Sequence, residues 1–110
     1  MPTYNKLVRD RIPQVIEESG KTYTTRILAP SEHLGEIQTK MQEEALEFQE
    51  AATEKEAIEE LVDILELVHA ALHVYGVPFE ELEAVRQHKK DKRGGFGEGV
   101  YLIEVEDWVQ

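Results

Sequence analysis

Cysteine and long apolar runs are both missing from this chain. The absence of cysteine excludes disulfide bonds, thiolate nucleophiles and cysteine-ligated zinc sites together. No segment approaches the roughly 18 consecutive apolar residues of a membrane-spanning helix. The N-terminal stretch MPTYNKLVRDRIP also lacks the apolar core of a signal peptide. These absences predict a cytoplasmic protein with no membrane partner.

Positive charge is scarce as well. The chain has 12 lysines and arginines against 23 aspartates and glutamates, which gives a net charge of −11. Nonspecific nucleic-acid binding requires a basic surface, so no nucleic-acid partner is expected. An acidic protein can still hold a polyanionic ligand when divalent cations mediate the contact. A length of 110 residues and a hydrophobic content of 41% predict one globular domain, residues 1–110.

Hydrophobic spacing and capping residues predict four helices and two short strands. The predicted helices cover residues 13–20, 31–52, 53–76 and 78–92. The segments 21–28 and 100–105, rich in β-branched and aromatic residues, are predicted to pair as a small two-stranded β addition. The join near Thr53 is short, which implies an antiparallel helical hairpin. The expected fold is therefore mainly α, a helical-hairpin bundle with a minor β element.

Both helices of the predicted hairpin are apolar. The second helix has one stripe at helical spacing, formed by Leu34, Ile37, Met41, Ala45 and Phe48. The third helix has a main stripe formed by Ile58, Leu61, Ile64, Leu65, Val68 and Leu72. It has a further apolar face formed by Leu67, Ala70, Ala71 and Val74. In so small a chain, this further face is expected to meet a partner subunit, which predicts an oligomer.

Two acidic clusters interrupt these patterns, Glu43-Glu44-x-x-Glu47 and Glu60-x-x-Asp63. Carboxylates three residues apart lie on nearly one face of a helix. Two such pairs on adjacent antiparallel helices would form a pocket of four carboxylates. Mg²⁺ prefers oxygen ligands of this kind and keeps water molecules that phosphate oxygens can replace. The spacing therefore indicates a magnesium site for phosphate chemistry.

The positions of the acids on their helices separate them. Relative to Met41, Glu44 lies roughly 60° away, at the edge of the apolar stripe, and Glu43 points toward solvent. Glu60 and Asp63 share the apolar face of the third helix, where a carboxylate needs a cation, a proton or a basic partner. In a chain this acidic, scattered surface glutamates are the simpler interpretation of any single cluster. Two clusters on adjacent helices favour a cation site.

Three stretches in order resemble a known superfamily. The pattern EExxE…ExxD, the opening YNKLVRDRIP and the closing KxDKRGGFGEGVYL are similar to the all-α nucleotide pyrophosphohydrolases. That superfamily includes MazG, the dimeric dUTPases and phosphoribosyl-ATP pyrophosphohydrolase. The chain resembles a MazG-like, phosphoribosyl-ATP pyrophosphohydrolase-like branch of it over nearly its whole length.

The resemblance implies a fold, a reaction and a metal. It implies an all-α bundle that forms a homodimer or homotetramer and cleaves a nucleoside triphosphate between the α and β phosphates. The products would be a nucleoside monophosphate and pyrophosphate, and nucleotide-pool cleansing is one role that such a reaction could serve. The implied cofactor is Mg²⁺, with Mn²⁺ as the alternative, and the implied ligands are Glu44, Glu47, Glu60 and Asp63. The implied catalytic residues are Glu43, Glu44 and Glu47, with Glu43 either an additional ligand or the group that orients the attacking water.

Basic residues at both ends of the chain are the expected contacts to the substrate. Lys89, Lys92 and Arg93 precede a glycine turn, a position from which they could reach the β and γ phosphates. A basic helix C-terminus can equally complement the helix macrodipole. Lys6 and Arg9 are expected in the same role, although Arg9 and Asp10 could instead form a structural ion pair.

Two other functions compete with hydrolysis. The first is a non-enzymatic acidic helical dimer that binds a protein partner or a nucleotide. The second is a di-iron site, because Glu66-x-x-His69 has the spacing used in carboxylate bundles. That site requires two such motifs and two further glutamates, and the chain has only one motif.

Overall fold

The computed structural model describes residues 2–107 and contains four helices in that range. They are α1 (Ile12–Glu18), α2 (Pro30–Glu50), α3 (Glu54–Tyr75) and α4 (Phe79–Arg93). The four predicted helices are therefore confirmed to within a few residues at each end. No single helix in the described range is long and apolar enough to cross a membrane, and only α3 and α4 taken together reach that length and composition.

The predicted β addition is wrong. Neither residues 21–28 nor residues 100–105 form a strand in the structure. High β-propensity measures how well a side chain fits a half-buried pleated surface, and an isolated two-stranded ribbon is only marginally stable. Here the two segments belong to different compact units and their apolar side chains lie in solvent, with Ile27 96% exposed.

The α2–α3 hairpin is the main packing interaction between helices in the described residues. Its turn is set by the predicted cap: the Thr53 hydroxyl accepts a hydrogen bond from the Glu56 backbone N–H at 3.1 Å. The Glu56 carboxylate in turn accepts one from the Ala52 backbone N–H at 3.0 Å. The cap satisfies backbone donors at the start of α3 that would otherwise have no partner.

The core of the hairpin is small and includes an acid. Ile37 on α2 and Leu67 on α3 are the buried hydrophobic residues, and Glu44 is buried beside them. Glu44 lies only about 20° from Ile37 around α2, which places it nearer the centre of the buried face than its position relative to Met41 predicted. The apolar stripe does not stay buried to its end: Ala45 is exposed and Phe48 is 43% exposed.

The face of α3 that was expected to meet a partner subunit is the face that lies against α2. The face that carries Glu60, Asp63 and Leu67 is the better buried one, and Glu60 lies beside Glu44 of α2. The opposite face, roughly 180° around the helix, is about half exposed and consists of Ile58, Leu61, Val62 and Leu65. Helical periodicity shows that both faces are apolar, but it cannot tell which of them meets α2.

The chain groups into two compact units, residues 1–77 and 78–110. The first contains α1, α2 and α3. It ends just after Gly76, whose left-handed backbone (φ 71°) caps α3 in the conformation that glycine adopts most easily. The second contains α4, whose last turn is basic.

Candidate functional site

Three carboxylates converge between the two helices of the hairpin. Glu44 and Glu47 lie one turn apart on α2, and Glu60 approaches from α3. Each offers one oxygen atom, and these atoms all lie within 4.8 Å of one another. Three of the four predicted metal ligands are thus brought together from residues that are up to 16 positions apart in the sequence.

Two carboxylate oxygens of the cluster have no hydrogen-bond donor among the described residues. Glu44 is only 7% exposed, and the Oε2 atoms of Glu44 and Glu60 are buried without a hydrogen-bond partner. Two ionised carboxylates cannot hydrogen-bond each other, because both only accept. The contact between Glu44 and Glu60 becomes favourable when a proton or a cation lies between the oxygens.

Burial and the neighbouring carboxylates hold Glu44 in its neutral form. Desolvation is the largest cause, followed by hydrogen bonding to Glu60 and Glu47 and then by repulsion from their charges, and together they raise the pKa of Glu44 to about 8. Lys40 is the nearest cation on the same helix, with its Nζ 3.9 Å from Glu44 Oε1 and 3.9 Å from Glu43 Oε2. One ammonium at this distance from two acids does not neutralise the cluster.

Asp63, the fourth predicted ligand, has a different partner. Arg9 Nη2 lies 2.5 Å from Asp63 Oδ1 and donates a hydrogen bond to it, joining the N-terminal segment to α3. That hydrogen bond is the largest cause of a raised pKa for Arg9; burial opposes it, and the charges of Asp63, Glu66 and Glu44 add to it. Arg9 therefore pairs with Asp63 and not with Asp10, the ion pair suggested by its sequence neighbour.

The Arg9–Asp63 pair is what sequence reasoning missed. The two residues are 54 positions apart, so no local pattern connects them. A weak signal existed: Asp63 lies on an apolar face, where a carboxylate needs a basic partner, and the opening segment supplies basic residues.

The remaining predicted residues lie outside the three-carboxylate cluster. Glu43 is exposed, as its position on the helix predicts. Lys6 is also exposed, with its Nζ 5.7 Å from the centre of the Tyr4 ring. Three basic residues lie in or next to the last turn of α4, in the second compact unit: Lys89, Lys92 and Arg93.

The donor set suits a hard divalent cation. All three convergent groups are carboxylates, two of them present buried oxygens with no donor, and they come from two helices whose packing fixes their separation. Mg²⁺ and Mn²⁺ are bound by oxygen ligands of this type. A cation here would supply the charge that Lys40 supplies only in part.

Comparison with known proteins identifies the family of this chain. The family model described as phosphoribosyl-ATP pyrophosphohydrolase matches residues 1–90, which covers all four acids and the basic opening. A protein of Mycolicibacterium smegmatis described as uncharacterized is 41% identical over 54 residues. The match covers 49% of this chain and 55% of that protein, so the chain spans about half the length of this relative. No solved structure matches the chain significantly. The chain therefore belongs to the phosphoribosyl-ATP pyrophosphohydrolase family, within the all-α nucleoside triphosphate pyrophosphohydrolase (MazG-like) superfamily of hydrolases.

Proposed function

We propose that this chain is a Mg²⁺-dependent pyrophosphohydrolase that cleaves a nucleoside triphosphate between the α and β phosphates. The observation that carries the proposal is the buried contact of Glu44 with Glu60, two carboxylates that have no donor between them. Membership of a pyrophosphohydrolase family supports the reaction. The products would be a nucleoside monophosphate and pyrophosphate.

The residues divide the work by position. Glu44, Glu47 and Glu60 would hold the metal in the α2–α3 hairpin, and Asp63 would join them. When bound, Mg²⁺ supplies the positive charge that neutralises phosphate oxygens and activates water for attack. Glu43, which is exposed on the same helix as Glu44 and Glu47, would orient that water. Glu47 is the exposed member of the cluster, so the substrate phosphates would approach from its side.

The exposed basic residues are the proposed contacts to the phosphates of the substrate. Lys6, Lys89, Lys92 and Arg93 are all solvent-exposed cations in an otherwise acidic chain. Such side chains can contact the β and γ phosphates that the carboxylates repel. This assigns recognition of the phosphate chain to the two ends of the sequence and metal binding to its middle.

We also propose that two copies of the chain associate through the outer face of α3. Ile58, Leu61, Val62 and Leu65 are each about half exposed and adjoin on one helix face. A contiguous apolar surface of this kind is typical of a protein–protein interface. A homodimer or a pair of such dimers would bury it.

The first prediction concerns activity. Glu60→Gln keeps the size of the side chain but removes one ligand charge, so Mg²⁺-dependent pyrophosphate release should fall by at least about 10²-fold, because even indirect metal partners cost 10- to 100-fold. Glu59→Gln, one position away and exposed, is the matched control and should retain activity. A panel of canonical and damaged triphosphates with phosphoribosyl-ATP, assayed for pyrophosphate, makes the measurement.

Stability measurements separate a lost ligand from a lost fold. Without metal, Glu60→Gln relieves repulsion and should melt no lower than the wild type. Millimolar Mg²⁺ should raise the melting temperature of the wild type but not of the variant. If no nucleotide in the panel yields pyrophosphate with Mg²⁺ or Mn²⁺, the chain is a binding module and not an enzyme.

A second prediction concerns pH. The pKa of Glu44 is about 8 in the folded chain, above its ordinary value of 4.5, so the folded state binds more protons than the unfolded state between these pH values. The stabilisation is complete below about pH 4.5 and is lost as the pH rises through 8. The free energy of unfolding without metal should fall between pH 5 and 8, by at most about 1.4 kcal/mol per pH unit.

Urea unfolding in a chelator at several pH values measures this slope. Glu44→Gln should flatten it, whereas Glu50→Gln, which removes one exposed charge from the same helix, should leave it in place. Equal slopes in the wild type and Glu44→Gln would show that Glu44 is not protonated in the folded chain.

A third prediction concerns assembly. Light scattering should find the wild type to be a dimer or tetramer. Leu61→Glu should shift it toward the monomer, because a charge on the outer face of α3 cannot be buried without a partner. Glu59→Gln should assemble normally. A wild-type monomer at high concentration would contradict the proposed interface.

A further inference from the structure

We propose that Arg9 competes with the metal for Asp63, so that loading the metal site releases the N-terminal segment from α3. The inference rests on the proposed function, because it requires that a cation binds the carboxylate cluster. Its observation is independent of that function: the predicted fourth ligand is held by a guanidinium and not by the cluster.

The placement of Asp63 makes it a shared group. It lies one turn after Glu60 on the same face of α3, so its carboxylate is on the side from which the cluster is formed. Its side chain is 36% exposed, against 55% for that of Arg9. Asp63 is thus at the rim of the cluster, where it can be reached either by the guanidinium or by a cation held at Glu60.

Arg9 acts as an internal counter-cation when no metal is bound. Besides its hydrogen bond to Asp63, its charge interacts favourably with Glu44 and Glu66. A guanidinium paired with Asp63 necessarily repels a divalent cation at the same carboxylate. Arg9 and the metal therefore compete for the Asp63 carboxylate.

Apart from this pair, Arg9 makes one hydrogen bond among the described residues, and its backbone makes it. It lies in the non-helical segment before α1, where its carbonyl accepts a hydrogen bond from the Ile12 backbone N–H at 3.0 Å. An ion pair this exposed contributes little stability, so a divalent cation can displace it. By linkage, metal binding weakens the Arg9–Asp63 pair by the same factor as the pair weakens metal binding.

The test is a calorimetric titration with Mn²⁺ on wild type, Arg9→Gln, Asp63→Asn and the double variant. Arg9→Gln should tighten Mn²⁺ binding about two- to fivefold, the range expected for an exposed ion pair. Asp63→Asn should weaken it, and Arg9→Gln should add nothing in the Asp63→Asn background. Arg11→Gln removes the same charge from the same segment without breaking this pair, so it should bind Mn²⁺ like the wild type.

A second readout follows the N-terminal segment itself. Backbone ¹⁵N relaxation of residues 6–10 should report greater motion at saturating Mg²⁺, which is diamagnetic, than without metal, and no change on adding Mg²⁺ to Arg9→Gln. Unchanged affinity in Arg9→Gln, or the same tightening in the Asp63→Asn background, would overturn the proposal. A wild type that binds no metal would overturn both it and the proposed function. Coupling without nucleotide hydrolysis would overturn only the proposed function.

Discussion

The structure depends on an acid placed where a hydrophobic residue would ordinarily pack. Glu44 is buried in the α2–α3 hairpin, on the face of α2 that carries Ile37, and is one of very few buried residues in the described chain. A leucine there would stabilise the hairpin by burial alone. A carboxylate instead makes the packing of the two helices conditional on a proton, a cation or both.

That condition joins the fold to the site. The Thr53 cap and the short turn after Glu50 bring Glu60 to Glu44, and the same approach buries their oxygens without donors. The packing of α2 against α3 is therefore what brings the carboxylates of the cluster together. The interior face of α3 carries the acids, and the apolar side chains of its outer face stay about half exposed.

Much of this arrangement follows from the sequence, and the failures have identifiable causes. Helix ends were predictable because Thr53, Gly76 and the prolines are local signals with a local effect. The convergence of Glu44, Glu47 and Glu60 was predictable because three-residue spacing and a short turn fix geometry at short range. The strands failed because 21–28 and 100–105 needed a partner that neither finds. The orientation of α3 was predicted wrongly because helical periodicity does not distinguish its two apolar faces. The Arg9–Asp63 pair was not predicted because residues 54 positions apart form no local sequence pattern.

We infer that a divalent cation bound by the carboxylate cluster replaces the proton held by Glu44. Calorimetric titration of the wild type with Mg²⁺ at pH 7, in two buffers of different ionisation enthalpy, counts the protons released on binding. With a Glu44 pKa of about 8, most molecules carry this proton at pH 7. Metal binding should therefore release nearly one proton per site. Binding without proton release, or no binding at all, would contradict it.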